Sequence, residues 1–165
     1  MGLDMFLLRK TYVKNWEHMS PEEKHTITIT GPAASWIQES RISEVVEEVA
    51  YWRKFNALHN WFVNRCQNGV DDCRDAYVER EVLEELVQLL TDVLNDPDSA
   101  RERFPPQSGF FFGSTEIDDW YWSDVRETRD LIEKLLKETH LIEKLLKETP
   151  RIDYYYHDYY YHSSW

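Results

Sequence analysis

Apolar positions recur along this chain with two different periods, and the change from one to the other divides it into elements. Residues 3 to 13, LDMFLLRKTYV, are rich in strand formers and bounded by Gly2 and by Lys14 and Asn15, which predicts a first strand. TITIT, 26 to 30, alternates strictly and stops at Gly31-Pro32, predicting a second. Between them SPEEK, 20 to 24, carries Ser20, Pro21 and Glu23 in the order of a capping box, the start of a short helix or turn. From Ser40 to about Gln67 the period becomes helical, with Ile42, Val45, Val46, Val49 and Trp52 three and four apart, and Asn68-Gly69 supplies the stop. Residues 79 to 95 repeat that pattern through Val82, Leu86, Leu89, Leu90 and Val93, and Asp96-Pro97 closes the helix. GFFFG, 109 to 113, predicts a short strand, Thr115 and Asp118 mark a helix start, and a last helix runs from about Asp119 to Thr139 or beyond. The tail RIDYYYHDYYYH predicts an aromatic strand with tyrosines packed on both faces. The sum is an α+β fold in one domain, residues 1 to 165: a small, mostly antiparallel sheet covered by about three helices.

The stretch YWRKFNALHNWF, 51 to 62, departs from its own pattern. Continuing the stripe from Val49 and Trp52 at helical spacing places Asn56 and His59 where apolar residues belong. A buried amide or imidazole without partners costs about 1 to 3 kcal/mol, so the pair belongs either to a polar core network or to a cleft.

Two duplications follow. DLIEKLLKET, 130 to 139, recurs as HLIEKLLKET, 140 to 149, and DYYYH, 153 to 157, recurs at 158 to 162. Ten helical residues turn through about 1000°, which leaves the second apolar stripe about 80° from the first. The second helical copy is therefore expected to project beyond the domain or to break near His140, and deleting it should cost little stability.

Charge changes the picture of what this chain can bind. The net charge is −12, yet residues 1 to 66 hold eight basic and eight acidic side chains, while residues 67 to 165 hold eleven and twenty-three. The acidic part repels nucleic acid and membrane surfaces, so an anionic ligand is expected near the basic residues of the first part. Cys66 and Cys73 match no zinc or redox spacing and read as free thiols of a reducing compartment. With no long apolar run and no leader pattern, a cytoplasmic location is expected.

The candidate chemistry points to holding rather than turnover. Trp52, Arg53, Asn56, His59 and Asn60 offer stacking and hydrogen bonds to a small anionic ligand such as a nucleotide, and Lys10, Lys14 and Lys54 offer charge. QSGFFFGST, 107 to 115, lacks the spacing and lysine of a phosphate loop, but Gly113, Ser114 and Thr115 at a helix N-terminus would offer N–H and hydroxyl donors. No nucleophile motif is present, no catalytic residue is assigned, and the one conceivable acid–base pairing is His59 with Asp71 or Asp72. His157 and His162 stand an odd number of residues apart on the predicted strand, facing opposite ways, and the Asp71, Asp72, Asp75 turn lacks the EF-hand order. No metal site and no cofactor is read here.

At GLDMFLLRKTYVKNW, YWRKFNALHNWFV, DDCR, QSGFFFGSTEIDDWYW and YYYHSSW the sequence resembles, along nearly its whole length, a family of small proteins encoded by bacteriophages and prophages. The doubled LIEKLLKET and DYYYH segments depart from that pattern. The resemblance implies a protein of the infected bacterium's cytoplasm that binds a host component. The leading expectation is a non-catalytic protein that sequesters a nucleotide-derived defence signal. Its alternatives are an acidic inhibitor of a host protein, by direct binding or DNA mimicry, and a small enzyme using His59 with a carboxylate.

Overall fold

The computed structural model describes residues 2–147 and 157–165. Four strands, β1 (Asp4–Tyr12), β2 (Glu44–Arg53), β3 (Ala76–Val78) and β4 (His157–Ser164), form one antiparallel sheet in the order β2-β1-β4-β3. The helices are α1 (Asn56–Cys66), α2 (Arg80–Asn95), the single turn α3 (Ala100–Arg103) and the long α4 (Asp119–Lys147). This is an α+β fold, and no helix among the described residues is long and apolar enough to cross a membrane.

The helices cover one face of the sheet. Leu3, Met5 and Leu7 from the first strand region, Ala50 and Trp52 from β2, Val78 from β3, and Tyr159 and Tyr161 from β4 point into a core with Leu58 and Phe62 of α1. α2 adds Leu83, Leu86 and Leu90, and α4 adds Val125, Ile132 and Leu135. Phe62 and Tyr161 stack at 4.3 Å and 11° in the middle of it. Such a stack contributes about 1 kcal/mol beyond the area it buries.

Four expectations change. The helix read from Ser40 to Gln67 is two elements, β2 and α1. Its first half is held by β1 across nine paired positions, where β-branched Val45 and Val46 suit a pleat better than a helix, with Val49 at a register shift between them and Ala50. From Ala50 to Arg53 the side chains alternate between the buried and open faces, and Lys54, with φ +58°, ends the strand. TITIT is no strand. Alternation defines a face but a strand also needs a partner, and residues 26–30 pair with none of the four strands; the Ile29 N–H instead donates to the Glu39 carboxylate at 2.9 Å. GFFFG is no strand either: the Phe112 N–H closes a turn on the Gly109 carbonyl at 3.1 Å, and Gly113 has φ +86°. Finally, Tyr159 and Tyr161 are buried but Tyr160 is not, so β4 packs on one face only.

Other expectations stand. Glu23 accepts from the Ser20 N–H at 2.8 Å ahead of the turn Pro21–Glu23, α2 ends before Asp96-Pro97, and Gly69, with φ +76°, donates to the Val63 carbonyl after α1. The duplicated segment is a different case: α4 runs unbroken past His140 to Lys147 with Leu141 and Leu145 exposed, and Glu143 of the second copy accepts from Arg80 of α2 at 2.6 Å. Residues 153–156 of the tyrosine tail lie outside the described residues.

Candidate functional site

Asn56 and His59 open the first turn of α1 facing inward, and the protein itself supplies their partners. The Asn56 amide donates to the carbonyls of Phe112 and Ser114 at 3.0 and 2.8 Å, and its oxygen accepts from the Gln107 N–H at 3.0 Å. One buried side chain thus holds the whole 107–114 loop, including the turn that GFFFG forms. His59 is 1% exposed. Its Nε2 lies 2.8 Å from Asp71 Oδ2, and because a carboxylate only accepts, that nitrogen carries the proton. Nδ1 then accepts from the Tyr161 hydroxyl at 2.7 Å, and Trp165 Nε1 donates to the other Asp71 oxygen at 3.1 Å. The result is a closed relay joining β4, α1 and the loop ahead of β3, with the Phe112 ring edge-on to the imidazole at 4.9 Å. Asp72 pairs with Arg74 instead. The His59–Asp71 pairing exists, but both ring nitrogens are already bonded and the side chain is buried.

The remaining expected ligand residues do not converge. Trp52 is buried and donates to Thr128 of α4 at 2.9 Å. Arg53 faces the opposite side of the sheet, its Nε 4.0 Å from Asp4. Lys10 pairs with Asp75 at 3.0 Å, Lys14 sits over the Trp16 ring at 4.2 Å, and the Lys54 side chain runs beside Gly2 and Gly113. Ser114 and Thr115 are exposed but precede the helix they were expected to open; Asp118 caps α4, accepting from the Tyr121 N–H at 3.0 Å. The Ser114 hydroxyl already accepts from the Glu116 N–H at 3.1 Å.

Asn60 lines an opening. On the other side of α1, Asn60, Trp61, Asn64 and Arg65 face Arg103 across a groove of about 280 Å³ floored by Phe104. Both arginines are engaged by carboxylates, Arg65 by Glu85 at 2.8 Å and Arg103 by Asp92 at 2.8 Å. Burial pushes the neighbouring Cys66 thiol up to about 11, so it is a poor nucleophile at neutral pH. Among the described residues no group of three His, Cys, Asp or Glu side chains can hold a metal ion. As the odd spacing requires, His157 and His162 face opposite ways, one bonded to Thr11 and the other 3.0 Å from Asp75.

The larger open feature is the sheet face away from the helices. Two rows cross it. Tyr51, Phe6 and His162 are register partners in one, with ring separations of 5.3 and 5.9 Å. Glu48, Leu8, Tyr160 and Tyr77 form the next across all four strands, with Tyr160 and Tyr77 5.7 Å apart. Tyr51 and Tyr77 are 51% and 52% exposed. Reading the first strand region as apolar on both faces, Leu3, Met5 and Leu7 against Phe6 and Leu8, is possible from sequence. Which face the helices leave bare is a property of the whole fold.

The sequence matches no known family model, no curated protein and no solved structure.

Proposed function

We propose that this is a non-catalytic binding protein that acts on a protein partner through the open face of its sheet. The observation that carries this reading is the two-row aromatic surface in which exposed Tyr51 and Tyr77 flank half-buried Phe6 and Tyr160 on the sheet face away from the core. Contiguous apolar surface of this kind is uncommon on a protein with no partner. An aromatic sheet also stacks bases in some nucleic-acid binders. Here Asp4, Glu44, Glu48, Asp75 and Asp158 surround the rings against Lys10 and Arg53, and a chain of charge −12 repels a phosphate backbone. In the phage setting that the resemblance implies, the partner is a host protein and the outcome is its inhibition.

The test is retention of a stoichiometric complex from bacterial lysate by the wild type, by Tyr51→Ala/Tyr77→Ala and by Trp61→Ala. Loss in the tyrosine variant alone supports the reading, and equal retention by all three overturns it.

A second reading keeps the small anionic ligand but moves it from Asn56 and His59 to the groove beside α1. The favouring observation is an indole, two amides and two fixed guanidinium groups on one opening. Calorimetric titration with mononucleotides and cyclic dinucleotides, repeated with Trp61→Ala and Arg103→Gln, decides it: binding lost in both variants selects this reading, and no heat with any nucleotide removes it.

A further inference from the structure

The open face continues to a free edge, and that edge has a chemistry of its own. β2 is an outer strand of ten residues that pairs with β1 alone among the described residues. An unpaired edge is a template for another strand unless side chains forbid it. From Glu44 to Glu48 every residue is exposed, so Val45 and Val46 stand in solvent on opposite faces of the same strand. Nothing in the fold accounts for two exposed valines in a row at a sheet edge.

We propose that the β2 edge receives an extended, lysine- or arginine-bearing segment of the partner as a fifth strand; this rests on the reading that the open face binds protein. Backbone pairing would supply affinity and the side chains selectivity. Toward the open face β2 presents Glu44, Val46 and Glu48 in succession, so the complementary strand places a basic, an apolar and a basic residue at alternate positions. Glu47, on the other face, is already held by Arg9 through two bonds of 2.9 Å. A second copy of this chain is the wrong occupant, because pairing β2 with β2 sets glutamates against glutamates. The face also shows how it takes a cation: Lys10 Nζ lies 4.1 Å over the Tyr160 ring, and exposed Tyr51 offers the same surface nearer the edge.

The probe is a blocked nine-residue peptide with Lys-Thr-Val-Thr-Lys at its centre, titrated into the full-length isotope-labelled protein beside a peptide with glutamates in place of the lysines. The lysine peptide should shift the backbone amides of residues 44–49 and bind at least tenfold more tightly than the glutamate peptide. Glu44→Lys/Glu48→Lys should reverse that preference while leaving the rest of the spectrum in place. Absence of β2 shifts, a preference that survives charge reversal, or a concentration-dependent dimer that uses the same amides overturns the proposal. If the partner complex still requires Tyr51 and Tyr77 when the peptide leaves β2 untouched, the strand addition falls and the face reading stands.

Discussion

Asn56 and His59 show how a residue can be conspicuous in sequence for a structural reason. Each has every side-chain nitrogen and oxygen bonded, and each ties a loop to α1 that has no regular structure of its own. Sequence turned them inward by continuing a helical stripe that in fact breaks between β2 and α1, and their partners were not legible, because Phe112, Asp71 and Tyr161 come from three distant segments. Asn56→Ala leaves two carbonyls and an N–H of the 107–114 loop without the Asn56 side chain and should cost about 2–4 kcal/mol in urea denaturation, whereas Asn60→Ala on the groove side should cost under about 1. Asp124 gives a pH-dependent case. Burial, with Glu127 and Asp118 nearby, raises its carboxyl to about 6 from an ordinary value near 4. Ionisation therefore weakens the fold above pH 6 and has no effect below about pH 4, where the carboxyl is protonated in both folded and unfolded chains. Asp124→Asn should raise stability at pH 7 by about 1 kcal/mol, discounted for partial exposure, and the gain should vanish between pH 6 and 4.

At the scale of elements, identical letters acquire different roles from their place. Leu135 and Leu145 are counterparts in the two copies of LIEKLLKET; one is 5% exposed against α2 and the other 56%. The rotation between copies carries the second stripe off the core, as the ten-residue period requires. Leu135→Ala should cost about 2–5 kcal/mol and Leu145→Ala less than about 0.5, compared by thermal melting of the two variants. α2, α4, β1 and the visible part of the tyrosine strand were legible because their period or composition admits one reading. β2 was not, since valines and Trp52 at mixed spacings fit a helix stripe and a pleat alike, and pairing with β1 decided between them. β3 has three residues, too few to carry any period.

For the whole molecule, charge and topology act together. If a basic segment docks on the acidic edge, association should weaken several-fold between 50 and 300 mM salt, measured by calorimetry at both salts. β4, the strand that completes the sheet, lies between β1 and β3, and Thr11 bonds to His157 across 146 residues of sequence. Every other described strand and helix precedes it. At the usual pace of synthesis, on the order of 10 residues per second, the inner edges of β1 and β3 are made about 10 s before the strand that covers them. The hairpin of β1 and β2 can form before β4 is made, but the central pairing must wait for it, so the growing chain carries the bare inner edge of β1, and later that of β3, until β4 emerges. Its yield in a cell should therefore depend on how fast it is translated and on which chaperones attend it, more than on the stability of the finished fold.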